Sequence, residues 1–288
     1  MLDYRLQTFL IVCQTIHYTR AAERLGLTQP AVTQHIHFLE QHYGCRLFAY
    51  EGKTLRLTES GERLRRMAVS LFYNSQKMEE AMSAPAPVRL HVGATKSIGE
   101  FVIGPQISRF VREHPTTALS LVVDNTQALL QALDQGKLDF ALIEGFFDKE
   151  KYGHRLLREE TFFGICAPDH PFAGKQIALE SLFDQTIIVR ESGSGTRAIL
   201  EEVLHEQRYT LNSFAKVLEI SNFAVLKALV AQSLGISFVY APVAQAELQQ
   251  GTLARFDLCG MELCRAFYFV YLHDNLFVDI WQEGMQIE

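Results

Sequence analysis

Two groups of polar residues in this sequence have the types and spacing that hold ligands. The first is the run Thr19-Arg20-Ala21-Ala22-Glu23-Arg24-Leu25-Gly26-Leu27-Thr28-Gln29-Pro30-Ala31-Val32-Thr33-Gln34. Helical periodicity puts Gln29, Thr33, Gln34 and His37 on the side away from Val32, Ile36 and Leu39. Glutamine and threonine pair with base edges or phosphates, and the free N–H groups of a helix start favour a phosphate. The small alanines let two helices cross closely, so that the second presents its first turn to a DNA major groove. The expected DNA-binding set is therefore Thr19, Arg20, Thr28, Gln29, Pro30, Thr33, Gln34 and His37, joined by the cations Lys53 and Arg56.

The second group is three short loops, Thr95-Lys96-Ser97-Ile98-Gly99, Asn125-Thr126 and Ser192-Gly193-Ser194-Gly195-Thr196-Arg197, each following a strand pattern and opening a helix pattern. Taken singly, each reads equally well as a helix cap. Three at equivalent places point to a cleft where strand ends and helix starts collect a ligand. The hydroxyls of Thr95, Ser97, Ser194 and Thr196, with Asn125 and Thr126 beside them and Lys96 or Arg197 for charge, suit a carboxylate, sulfate or phosphate.

No catalytic pattern competes with these readings. A serine-hydrolase elbow needs Gly-x-Ser-x-Gly, whereas Ser194 has Ser192 before it and Thr196 after it at those offsets. The Walker-type and zinc-protease motifs are absent. The five cysteines, Cys13, Cys45, Cys166, Cys259 and Cys264, are scattered and form no Cys-x-x-Cys pair, so neither a disulfide framework nor a metal site is expected. The expectation is a protein without catalytic residues, metal or cofactor.

The elements that must position both groups follow from periodicity. Leu6, Phe9, Leu10, Cys13 and Ile16 give one helix a buried stripe; Thr19 is placed to cap a second, which Gly26 ends. Thr28 caps a third with Pro30 in its first turn and Val32, Ile36, Leu39 and Tyr43 inside. Residues 47–57, turning at Glu51-Gly52-Lys53, read as a hairpin. A long helix then runs from Thr58 to about Ser83, with Leu57, Leu64, Leu71 and Met78 seven apart, the pattern of a helix packed on another helix. Little of its own chain is available to cover it, which favours a second copy as the cover over the domain that follows it. Ala84-Pro85-Ala86-Pro87 breaks that helix and marks a hinge. Beyond it strands and helices alternate, including one helix over 98–113, and predict parallel sheets flanked by helices.

Length and charge agree with this division. A chain of 288 residues exceeds one typical domain, and 48% apolar content supplies a core for each. The net charge of −6 is uneven: residues 1–66 hold nine Lys/Arg against six Asp/Glu, net +3, while the remainder is net −9. A small basic module facing phosphates beside an acidic bulk fits that split. With neither an export-type leader pattern nor an apolar run near the roughly 20 residues of a membrane span, cytoplasmic residence and no membrane partner are expected.

Residues 2–66 resemble the DNA-binding domain of the LysR family almost position by position, through the helix pair, Arg46-Leu47-Phe48, the wing, and Leu57-Thr58-Glu59-Ser60-Gly61, which is similar to the family's Leu-Thr-x-x-Gly lead into its linker helix. Residues 88–288 resemble the family's effector domain. The resemblance implies a winged helix-turn-helix at 1–58, a linker and dimerisation helix at 59–84, a hinge at 85–87, and an α/β effector domain at 88–288 similar to periplasmic solute-binding proteins. Its first subdomain would comprise 88–160 plus 266–288 and its second 161–265, joined by two crossover strands. It further implies a homodimer, often a homotetramer, on an imperfect inverted repeat in promoter DNA, regulated by a small anionic effector, with RNA polymerase as a candidate partner. The loops at Thr95–Gly99 and Ser192–Arg197 resemble the branch that contains regulators of sulfur and carbon assimilation. One departure is the wing: family wings are often arginine-rich where this chain has Ala49, Tyr50 and Glu51, so weaker minor-groove contact is expected. His35 and His37 are expected at the surface.

Overall fold

A computed structural model of the chain describes residues 2–82 and 89–279. The expected hinge at 85–87 and the end of the first subdomain, 280–288, lie outside the described residues. The described chain divides into two compact units.

The first unit begins with three helices. α1 (Tyr4–Thr15) starts at Asp3, whose carboxylate accepts from the Arg5 amide at 2.8 Å. α2 (Tyr18–Leu25) is capped by His17, not by the expected Thr19. The His17 ring nitrogen reaches the amides of Thr19 and Arg20, which are already inside the helix. α3 (Gln29–Tyr43) is capped by Thr28, and Gly44 ends it at φ +66°, the left-handed region glycine adopts without strain. Phe9, Val12, Ala21, Ala22, Val32 and Ile36 close the core between the three.

Tyr43, expected inside, is 45% exposed; the inward position belongs to Glu40, which is buried. Its carboxylate accepts from the Leu47 and Phe48 amides at 2.9 and 3.4 Å and pairs with Arg46 at 2.9 Å. It thereby fastens the hairpin of β1 (Phe48–Glu51) and β2 (Thr54–Leu57) to α3. The Thr58 hydroxyl donates to the Arg46 carbonyl at 2.6 Å and accepts from the Gly61 amide at 3.0 Å, starting α4 (Glu59–Met82) at the wing's base. A side chain at Gly61 would run into the Leu47 carbonyl, which explains why glycine follows Leu-Thr-x-x there.

The second unit carries the α/β layers. β3 (Arg89–Thr95) lies parallel to both β4 (Ala118–Asp124) and β5 (Phe140–Glu144). The single helix expected over 98–113 is two, α5 (Lys96–Phe101) and α6 (Gly104–Glu113). Pro105 has no amide hydrogen to continue the ladder of α5, so the chain restarts with Pro105 in the first turn of α6, where no such bond is needed. α7 (Thr126–Asp134) returns the chain to β5.

The parallel pairing expected from alternation is present in β3–β4, in β3–β5 and between Thr186–Val189 and Lys216–Glu219, and the large sheet adds antiparallel strands. Two long strands, β6 (Tyr152–Cys166) and β12 (Cys264–Leu272), enter the large sheet, with β12 antiparallel to β5 and next to β6. The remaining elements are β7 (Gln176–Ile177), β8 (Thr186–Val189), α8 (Gly195–Glu206), β9 (Lys216–Glu219), α9 (Phe223–Ala231), β10 (Ser237–Tyr240), α10 (Ala241–Gln250) and β11 (Ala254–Leu258). β10 and β11 pair antiparallel with β6, and β8 pairs parallel with β9. No helix among the described residues is long and apolar enough to cross a membrane.

Candidate nucleic-acid interface and effector site

Seen from the residues upward, the N-terminal site is the first turns of α3 with the preceding helix beside it. Thr19, Arg20, Thr28, Gln29, Pro30, Gln34 and His37 are exposed, and Thr33 is half-buried. Gln29 donates to the Thr33 hydroxyl at 2.9 Å, and that hydroxyl donates to the Gln29 carbonyl at 3.1 Å. The pair is thus mutually oriented before anything binds. His35 departs from expectation: it is half-buried, with Nδ1 2.9 Å from the Thr8 hydroxyl and its ring against the Tyr4 edge. In the wing, Lys53 stands exposed at the turn, while Arg56 pairs with Glu51 at 2.9 Å. Both partners are well exposed, so that pair is weak.

The three loops of the second unit meet, and what they meet around was not evident from the sequence. At the end of β5, Glu144 is 2% exposed. Its carboxylate accepts from the Ser97 hydroxyl at 2.7 Å, from Thr95 at 3.0 Å and from Thr196 at 3.1 Å, while Thr126 donates to its backbone carbonyl at 3.2 Å. Thr95 and Ser194 occupy helix N-cap positions yet make no side-chain cap bond among the described residues. Asn125 does cap, accepting from the Ala128 amide at 2.9 Å. Gly145 and Gly195 bring the backbones together: a Cβ on Gly145 would stand 2.9 Å from the Gly195 Cα.

The charges around this cluster are paired. Lys96 donates to Glu191 at 3.1 Å and to the Ser221 carbonyl, and the buried Arg190 also holds Glu191. Arg197 pairs with Glu201 and Glu219. Burial raises the Glu144 pKa; the bonds from Ser97, Thr95 and Thr196 and the charge of Arg190 oppose the rise without cancelling it. Burial also acts upward on Glu191, but Arg190 and Lys96 outweigh it and hold that carboxyl below its usual range. Tyr240 is fully buried, and its hydroxyl has no hydrogen-bond partner among the described residues. Its ring packs edge-on at 4.8 Å against Phe267, the cross-strand partner of Glu144. Burial first, and then the Glu144 charge, push its phenol well above the usual value.

A winged helix-turn-helix joined to an α/β ligand-binding fold defines the class, and comparison with known proteins agrees. Residues 4–62 match the bacterial regulatory helix-turn-helix protein of the lysR family, and residues 85–277 match the LysR substrate binding domain. The chain belongs to the LysR family of DNA-binding transcriptional regulators and is not an enzyme. It is 30% identical over 272 residues to the RuBisCO operon transcriptional regulator of Allochromatium vinosum, covering 93% of this chain and 88% of that one. A full-length variant of OxyR from Pseudomonas aeruginosa shares the fold with a TM-score of 0.62 at 22% identity, covering 100% of this chain and 95% of that one. The Synechocystis CcmR regulatory domain, solved in complex with 2-PG, superposes with a TM-score of 0.61 at 21% identity over 68% of this chain and 95% of that one.

Proposed function

We propose that this regulator binds an imperfect inverted repeat in promoter DNA as a homodimer, or a tetramer built from dimers, in the cytoplasm, and that a small anion held at the Thr95–Ser97–Thr196 cluster sets its activity. The observation that carries the effector reading is the Glu144 carboxylate itself: three hydroxyls from two loops, Thr95 and Ser97 from one and Thr196 from the other, already converge on one oxyanion. The complex of the CcmR regulatory domain with 2-PG supports the same chemistry. Ser194, Asn125 and Thr126 complete the cluster, with Lys96 and Arg197 at its margin. Its two sides belong to subdomains at 88–160 plus 266–288 and at 161–265, so an anion favouring their closed arrangement shifts the population toward it. That shift alters the spacing of paired DNA-binding modules and what RNA polymerase meets beside them.

For the DNA reading, α3 carries base contacts through Gln29, Thr33, Gln34 and His37, while Thr19, Arg20, Thr28, Pro30, Lys53 and Arg56 seat the module on the backbone. Dimerisation through α4 is supported by an apolar groove of about 340 Å³ among Leu6, Tyr43, Leu64, Met67 and Leu71. Mobility shifts of the chain's own upstream DNA, with and without 2-PG, sulfate or phosphate, test both halves. Retardation no stronger than that of random DNA at moderate salt rejects the DNA reading. An unchanged footprint with every anion rejects the effector reading.

A further inference from the structure

The Glu144 cluster contains a contradiction for any anion that binds it. Thr95, Ser97 and Thr196 each have one hydroxyl hydrogen, and all three face the resident carboxylate. The nearby cations are taken: Lys96 and Arg190 serve Glu191, and Arg197 serves Glu201 and Glu219. Two like charges sharing a site closed to water cannot both stay ionised.

We propose that the anionic effector binds this cluster together with one proton, which Glu144 takes up. The proposal rests on the effector reading above and deepens it. Proton uptake turns Glu144 from acceptor into donor and frees the three hydroxyls, so the oxyanion replaces the carboxylate as their acceptor. The proton taken up by Glu144 offsets one unit of the charge that the anion brings. The Tyr240 hydroxyl, buried beside Phe267, supplies a further donor that nothing among the described residues uses.

The groups around Glu144 narrow the proton's destination. β3 and α5 contribute Thr95, Lys96 and Ser97, and α7 contributes Thr126; Arg190 and Glu191 follow β8, α8 brings Thr196 and Arg197, and β10 brings Tyr240. Glu191 is held below the usual carboxylate range and Tyr240 well above the phenol range, whereas burial raises Glu144.

The test uses the full-length chain and sulfate, whose charge is constant between about pH 5.5 and pH 8.5, so any pH dependence belongs to the protein. Calorimetry in two buffers of different ionisation heat should report about one proton taken up per sulfate, with affinity falling up to about tenfold per pH unit as pH rises. Glu144→Gln should bind sulfate with an affinity independent of pH. Sulfate binding that is lost in Thr196→Val but shows neither proton uptake nor pH dependence overturns the proton coupling and leaves the anion site standing. Binding that survives Thr196→Val unchanged places the anion elsewhere and overturns both. Failure of sulfate, phosphate and 2-PG to bind either the wild type or Glu144→Gln at any pH does the same. The proton count is taken on the unmodified protein, so it stands whether or not a variant folds.

Discussion

At the scale of single residues, Glu144 and the Gln29–Thr33 pair make distinct predictions. A carboxyl whose folded pKa is raised contributes stability below its unfolded pKa and loses it as pH rises through the folded value. Glu144 is such a group, so the Tm of the wild type should drop relative to Glu144→Gln as pH increases above the ordinary carboxylate range. Parallel melts across pH check this; a constant difference would mean that Glu144 stays ionised at no cost. Gln29 and Thr33 share two hydrogen bonds, so their contributions should not add. Each alanine variant should cost roughly 1–3 kcal/mol of operator discrimination if its residue contacts a base. The double variant should cost less than the sum, read from titrations on operator and random DNA. Glu40→Ala should destabilise the N-terminal module by about 1–3 kcal/mol, because it strands two buried amides. Chemical denaturation followed by helix signal measures that loss.

Among the elements, α4 shows how far sequence reading reached. The seven-residue spacing marked a helix with an apolar stripe, and in the structure Leu71 and Met78 of that stripe are 48% and 59% exposed while Ala68, Val69 and Tyr73 are buried. On the dimer reading proposed above, the exposed side is the one offered to a second copy. Leu71→Asp with Met78→Asp should therefore leave the monomer folded and halve the mass in light scattering; an unchanged mass moves the dimer contact elsewhere. Leu64 is a poorer probe because it also packs against the N-terminal core. Two helix ends were legible, the Thr28 cap of α3 and the Gly26 end of α2, because each is decided within a few residues. His17 escaped because a ring nitrogen is an uncommon cap. Glu144 escaped for a different reason: its partners stand 47 to 52 positions away, and no local pattern distinguishes it from an ordinary strand-end glutamate. Neither β6 nor β12 was legible from periodicity, since Arg155, Arg158, Glu159 and Glu160 interrupt the apolar alternation of β6, and both were anticipated only as the two crossover strands that family resemblance implies.

For the whole molecule, the place of β12 in the large sheet reaches into how the protein is made. This strand begins at Cys264, near the end of a 288-residue chain, yet it lies between β5 and β6 in the sheet. Long-range pairings of this kind form late, because the loop between partners must close before any contact rewards it. The three N-terminal helices pack on near neighbours in sequence and need no such wait. A chain ending at residue 263 should then show protected amides in α1–α3 and unprotected ones in β5 and β6, as hydrogen exchange would reveal. On the ribosome the same order holds, at roughly 5–20 residues per second. A nascent chain acquires its grip on DNA before it acquires its sense of the effector. A nonsense mutation between the end of α4 and Cys264 would accordingly leave the cell a short DNA-binding fragment that occupies the operator and answers to nothing.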